Sequence, residues 1–379
     1  MRIIFLDSVQ DFGGSQISTI KLISNLVDFH EVLYIDFWGT DVHLISELKS
    51  NKIRYEILNK RTSPIIINNG SGKIFKFFGM FKFFNNVLLL KKKLDVVISD
   101  FQPNYIIVNN LKSLSIIRKR KFKIIFHERT WFIKTKINLI NKFLFNKVDS
   151  FFAVSNSTKF AILAKGIASL DRIYVLQNSL SLKHPYKVLS NKIESIKILN
   201  CGGYIESKGL HHSLLVASEL KKRDVSFHID IVGVVYKGYQ SENYYEKLKN
   251  YILINDLDEY VTLHRDVRDM SVFYEQAHIL IHPTHSEGLP RVIMEAMSYS
   301  IPVISNSVGG VNDYILDYFT GFLADYNNIH KFVDRIMLLR DNSDIYNFIT
   351  KNGYDLIKSS FNDDIQKENL NNIFKYLEV

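Results

Sequence analysis

Apolar runs of four to six residues recur along this chain, each separated from the next by a stretch of helical character, and that alternation restricts the fold most. Antiparallel neighbours need only a tight turn between them, whereas parallel strands need a long crossover, usually a helix. The runs fall at 2–6, 32–36, 53–58, 95–98, 105–108, 123–126, 151–154 and 173–176. A polar break from Ser179 to Ser195, holding His184-Pro185, interrupts them. They resume at 196–199, 227–232, 260–263, 279–282 and 302–305. The pattern predicts an α/β protein with two doubly wound, Rossmann-like domains. At 379 residues the chain also exceeds what one hydrophobic core usually organises. Residues 1–183 and 184–360 are expected as the two domains. Ligands of such sheets bind beyond the carboxyl ends of the strands, so the site is expected in the cleft where the domains face each other.

The second half carries the most specific local pattern. It reads His285-Ser-Glu287-Gly288-Leu289-Pro290-Arg291-Val-Ile-Met-Glu295, followed by Pro302-Val-Ile-Ser and Val308-Gly309-Gly310. Pro290 suits a first helical position, because the N–H it lacks would have no partner there. Glu287 then lies in the loop before a helix and Glu295 in its second turn. Backbone N–H groups across residues 288 to 292 point outward, and with the positive end of the helix dipole they attract phosphate. The flanking carboxylates suit hydrogen bonds from hydroxyls. Phosphate in the middle with hydroxyls on both sides describes a nucleotide sugar.

Glu-x7-Glu followed by a Pro-Val strand and a Gly-Gly turn resembles the donor site of the retaining family 4 glycosyltransferases, which have the two-domain GT-B fold. The resemblance extends from Gly13-Gly14 through Phe152-Ala-Val-Ser155, Leu176-Gln-Asn178 and Lys208-Gly209 to Gly321-Phe-Leu. It implies that Glu287 holds the hydroxyls of the transferring sugar and Glu295 the ribose. Lys208 and the Gly288-Leu289-Pro290-Arg291 turn would hold the diphosphate, and Gly13 and Gly14, before a helix starting near Gln16, would meet it near the acceptor side. His127, after the strand ending at Phe126, would stand at the mouth of the cleft by the reaction centre, with Arg129 to Phe132 facing acceptor or membrane. The last helix, 361–379 with its tail, would cross back to the first domain. Two departures stand out. Glu128 occupies a place where the family commonly has Asp, and Gly203 occupies that of a phosphate-binding arginine, for which Arg265 or Arg291 would compensate. The implied reaction is transfer of a sugar from a nucleotide diphosphate donor to a glycan or lipid-linked glycan, as in surface polysaccharide assembly, without metal or other cofactor. A nucleotide-sugar epimerase of the same architecture and a catalytically silent donor-binding subunit are the alternatives.

Charge is divided unevenly. Residues 1–180 hold 27 Lys and Arg against 13 Asp and Glu, a net +14, and the remainder nets −5. Residues 73–93 interleave six lysines with six phenylalanines, and Arg118 to Lys123 add a second basic cluster. An anionic membrane surface is the expected partner, since basic residues near such a surface contribute roughly 1 kcal/mol each. No nucleic-acid module is present. The first strand is too short for the apolar core of a signal peptide, and no run of about twenty residues lacks charge. A cytoplasmic protein peripheral to the inner face of the membrane is therefore expected, and the lone Cys201 is compatible with that. His211, His212, His278, His282 and His285 match no zinc spacing, and the first half has no Asp-x-Asp, so no metal is expected.

Overall fold

The structure, a computed structural model, describes residues 1–62, 73–118, 121–132, 137–236, 239–267 and 269–378, with side chains at all of these except 73–78, 82 and 239. Of the two basic clusters, Lys73, Lys76, Lys82, Lys119 and Arg120 thus lie outside the described side chains. The chain divides into unit 1, Met1–Ser179 with Gln366–Val379, and unit 2, Leu180–Ile365.

Unit 1 holds strands β1 (Arg2–Asp7), β2 (Glu31–Asp36), β3 (Tyr55–Ile57), β4 (Tyr105–Val108), β5 (Lys123–Glu128), β6 (Ser150–Ala153) and β7 (Ile173–Val175). They form one parallel sheet in the order β3-β2-β1-β4-β5-β6-β7. Both faces are covered, as the near-continuous apolar strands require. Successive residues of β1 serve opposite faces: Ile4 and Leu6 join one apolar cluster with Phe126 and Phe151, Ile3 and Phe5 another with Phe152. The second cluster is completed by the chain's last helix, Asp363–Glu378, through Leu370, Ile373, Phe374 and Leu377. Each such burial is worth about 1.5–3 kcal/mol. Gln366 on the same helix accepts from Asn25 (2.9 Å) and Ser179 (3.2 Å) and donates to the Gln177 carbonyl (2.7 Å).

Unit 2 holds β8 (Ile196–Cys201), β9 (Phe227–Gly233), β10 (Val261–Arg265), β11 (Ile279–His282), β12 (Val303–Ser305) and β13 (Phe322–Leu323). They too are parallel, in the order β10-β9-β8-β11-β12-β13. In each sheet the chain starts in the middle, builds outward on one side and then returns to build on the other. The reversal falls between β1 and β4 in unit 1 and between β8 and β11 in unit 2. The loops after those strands splay apart, and ligands of open α/β sheets bind there.

The run 95–98 is not a strand. It ends a 29-residue helix, Lys73–Phe101. Phe83, Leu90, Leu94, Ile98 and Phe101 are buried, with Val87 packed beside them, and steps of three or four residues put all six on one helical face. Pro103 follows the end of the helix. Strand β13, two residues long, is too short to stand out as an apolar run. The helix expected near Gln16 begins at Gly14.

Candidate functional site

At the reversal point of unit 2, two loops meet. One leaves β8 through Gly202, Gly203 and the 3-10 turn Glu206–Lys208, and enters the helix Leu210–Lys222 at Gly209. The other leaves β11 at His282 and runs to the helix Arg291–Ser298. Gly209 has φ +67°, and a Cβ there would lie 1.7 Å from the Pro283 carbonyl oxygen, so only glycine lets the loops come this close. The Ser207 carbonyl stitches them together by accepting from the His285 N–H (2.8 Å) and the Thr284 hydroxyl (3.1 Å).

This approach brings Lys208 to Glu287. Lys208 Nζ donates to Glu287 Oε1 at 2.6 Å, and the same oxygen lies 2.9 Å from His282 Nε2 and 3.3 Å from the Thr284 hydroxyl. Glu287 is buried. Burial raises its carboxyl, but Lys208 and His282 outweigh that and hold it down at about 2. An ionised carboxylate is acceptor-only, suited to hydroxyls and unsuited to phosphate.

Pro290 caps the following helix from outside, one residue before the first helical position expected for it. Gly288, Leu289 and Pro290 are buried in the turn. Within the helix, Arg291 donates to Glu295 Oε1 through Nη2 (2.9 Å) and Nε (3.2 Å), and the Tyr274 hydroxyl donates to Oε2 (2.9 Å). Arg291 Nη1 is buried and has no hydrogen-bond partner among the described residues. Of the two arginines that would stand in for the one absent at Gly203, Arg291 is the one in this loop. Arg265 pairs with Glu242 (3.1 Å) and Asp266 (3.4 Å) on the exposed end of β10. Gly203 itself faces Tyr236, whose ring would lie 2.3 Å from an added Cβ.

In unit 1, Gly13 caps the helix Gly14–Ser24, its N–H bonded to Gln16 Oε1 at 3.2 Å. His127 lies inside β5, paired in register with Phe152, and not in a loop after the strand: the ladder continues through Glu128. Its ring is buried and neither nitrogen has a hydrogen-bond partner among the described residues. Burial, then the Arg129 charge, hold it well below the usual histidine range, so it is neutral. Glu128 accepts from the N–H and hydroxyl of Thr130, and Arg129 donates to Asn178 (3.1 Å). At the ends of β1 and β2, Asp7 accepts from Asn110 (2.8 Å), and Asp36 from the N–H groups of Val9 (2.9 Å), Trp38 (3.1 Å) and Gly39 (2.7 Å).

Residues 187–356 match the family model of glycosyl transferases group 1. The match falls within unit 2, which is thus similar to the group 1 glycosyl transferases along most of its length. An uncharacterised glycosyltransferase of Haemophilus influenzae is 29% identical over 215 residues, 55% of this chain and 59% of its own length, so the chain spans somewhat over half of that relative. The capsular polysaccharide biosynthesis glycosyltransferase CapM of Staphylococcus aureus is 22% identical over 358 residues, 91% of this chain and 85% of its own. The crystal structure of Anabaena HepE in complex with UDP and glucose shares the fold along the whole chain, with a TM-score of 0.80 at 17% identity and 99% of both chains covered. Two Rossmann-like units of the GT-B class are thus common to this glycosyltransferase fold and the present chain.

Three partners in unit 2 escape a reading of the sequence. His282, Thr284 and Tyr274 each touch one of the two glutamates, and Thr284 and His282 lie within five residues of Glu287, just before the segment that begins at His285. A histidine ending an otherwise apolar strand directly before the motif is the signal that could have found the first. Tyr274 lies 21 residues from Glu295 on the helix Ser271–Gln276, and no spacing rule points to it.

Proposed function

We propose that this chain is a glycosyltransferase that moves a sugar from a nucleoside diphosphate sugar to a hydroxyl of a glycan or lipid-linked glycan, with the anomeric configuration retained, in surface polysaccharide biosynthesis. The observation that carries the reading is the pairing of buried Glu287 with half-buried Lys208, placed directly before a helix start that also holds Arg291 and Glu295. Glu287 would accept hydrogen bonds from the sugar hydroxyls. Lys208 keeps two further N–H donors for phosphate, and Arg291 Nη1 with the first-turn N–H groups of its helix would meet the same diphosphate. Glu295 is assigned to the ribose. In unit 1, Gly13, Gly14 and neutral His127 are assigned to the diphosphate and the transferring sugar.

In the step proposed, the bond from the anomeric carbon to the leaving phosphate oxygen breaks and a bond to the acceptor oxygen forms. The acceptor proton passes to the leaving phosphate. Charge that develops on the diphosphate is met by donors already fixed in place, which need no reorganisation at the moment of reaction. No metal is assigned to this step.

The reading is tested with a panel of nucleotide sugars, UDP-glucose first because HepE was crystallised with UDP and glucose. A donor at 100 times its dissociation constant should stabilise the fold by about 2.7 kcal/mol. Nuclear magnetic resonance of the product with acceptor present should show the donor's anomeric configuration. Inversion removes the retaining mechanism, an isomerised sugar nucleotide without acceptor favours an epimerase, and donor binding without turnover favours a silent subunit.

Unit 1 is proposed to dock on the inner, anionic face of the cell membrane. Phe81, Phe84 and Leu88 are exposed along one face of the helix Lys73–Phe101, beside its buried face and ahead of Lys92 and Lys93. The helix Leu139–Phe145 adds Leu139, Ile140 and Phe143, each more than two-thirds exposed. Both helices reach the same apolar cluster through Phe83 and Phe145, so the exposed residues belong to one side of the sheet. No helix among the described residues is long and apolar enough to cross a membrane. Vesicle sedimentation checks the docking: binding should require anionic lipid, fall as salt is raised, and drop on changing Lys91, Lys92 and Lys93 to Glu. Equal binding to neutral vesicles would overturn it.

A further inference from the structure

We propose that His211, His212 and His285 form a binding site for one divalent transition metal ion of the zinc class in unit 2. Their ligating nitrogens all lie within 4.8 Å of one another. Nitrogens around a tetrahedral zinc ion, with bonds of about 2.0–2.1 Å, stand roughly 3.3 Å apart. Side-chain rotations that move the rings by about an ångström would close the set around an ion.

A second observation points to the same place. His212 is 7% exposed and its Nδ1 is buried with no hydrogen-bond partner among the described residues. A buried nitrogen left without a partner costs on the order of 1–3 kcal/mol, which a metal–ligand bond would relieve. His211 is already oriented as a metal-bound imidazole usually is. Its Nδ1 lies 2.7 Å from the Tyr244 hydroxyl, which leaves Nε2 facing the Tyr326 hydroxyl at 3.3 Å. The Tyr326 ring packs on His212 and His285, with centroids 3.8 Å and 3.5 Å away, and walls the cluster on one side. The Glu206 charge reaches His211 and Tyr326, which favours a cation there.

Such an ion would join the two loops that carry Lys208 and Glu287. His211 and His212 follow Lys208 by three and four residues, and His285 precedes Glu287 by two. The ion would thus brace the turn that presents the lysine against the loop that presents the carboxylate. Three imidazoles with an open fourth position, and no sulfur, suit zinc, nickel or copper and not magnesium or calcium.

The test needs no nucleotide, so it stands or falls apart from the glycosyltransferase reading. Full-length protein without a histidine tag is stripped with chelator, dialysed against zinc sulfate and measured for bound zinc, and cobalt substitution is followed by its visible ligand-field bands. One zinc per chain is expected, with tetrahedral cobalt bands and a higher melting temperature in the presence of zinc. His285→Ala removes an exposed ligand with little risk to the fold and should weaken zinc binding at least tenfold, as should His212→Ala. His43→Ala, an exposed histidine of unit 1, should bind as the wild type does. If His212→Ala does not fold, His285→Ala decides. Wild-type protein that takes up no more zinc than His285→Ala, or that takes up magnesium equally well, would overturn the proposal.

Discussion

Each unit places carboxylates at or beyond the carboxyl ends of its parallel strands, and the two treat them in opposite ways. In unit 2 each site glutamate has a cation, Lys208 for Glu287 and Arg291 for Glu295. In unit 1, Asp36 is held by three backbone N–H groups and Glu128 by Thr130, all neutral donors. Burial pushes Asp36 up to about 6 and Glu128 up to about 7, with the hydrogen bonds offsetting only part of the rise. Neutral donors therefore leave a buried acid titrating near neutral pH, whereas a full charge at 2.6 Å fixes it as ionised. A pocket for an anionic, hydroxyl-bearing ligand needs the second arrangement, because its acceptors and its cations must both be in place before the ligand arrives.

The sharpest way to break this contrast is Glu287→Ala. Transfer should fall by at least about a thousandfold, roughly 4 kcal/mol, while the free nucleoside diphosphate binds nearly as before, because Lys208 is released towards phosphate. Kinetics beside calorimetry separate the two effects, and wild-type turnover in this variant would refute the role of Glu287.

Next in size is a pH effect confined to unit 1. A folded-state Asp36 at about 6 holds its proton to higher pH than the unfolded chain does. Its contribution to stability is thus full below the ordinary aspartate range, near pH 4, and declines as pH rises to about 6, by on the order of 3 kcal/mol. Asp36→Asn should flatten that slope in urea melts between pH 4 and 7. Glu287 has the opposite sign. Held down at about 2, it contributes stability above pH 4.5 that disappears as pH falls towards 2.

Lys208→Ala should weaken donor binding by about 1.5–3 kcal/mol, the range for a charge-assisted hydrogen bond, and should shrink the acid-side loss of stability that Glu287 causes. Unchanged donor affinity by calorimetry would remove the lysine from the site. The smallest effect is expected at Gly203. Because the Tyr236 ring occupies the space of a side chain there, Gly203→Arg alone should change donor affinity by less than about 1 kcal/mol, and only Gly203→Arg with Tyr236→Ala should strengthen it.

The parallel sheets could be read from the chain because strands buried on both faces leave short, uninterrupted apolar runs with helices between them. The run at 95–98 misled for the same reason: four residues cannot distinguish a strand from the last turn of a helix, and only the spacing back to Phe83 does so. At the candidate site, Glu287, Arg291 and Glu295 stand out because they fall within one short segment, and Lys208 only through the resemblance of its Lys208-Gly209 turn. Their pairing does not, since the contact between Lys208 and Glu287 depends on a close approach at Gly209 that spans 79 residues of chain. The histidine cluster was hidden likewise. His211 and His212 are adjacent in sequence, but His285 reaches them only because β8 and β11 are neighbours in the sheet. His127 was expected in a loop, and β5 runs on through it because the Phe126 to Glu128 ladder with β6 continues.

The central claim is that the loops after β8 and β11 hold the donor, and hydrogen exchange with and without saturating nucleotide sugar tests it most directly. Backbone N–H groups at 202–209 and 284–296 should exchange more slowly when donor is bound, and the effect should be lost in Lys208→Ala at the same donor concentration. Donor binding that leaves both segments unprotected while slowing exchange elsewhere in the chain would contradict the account.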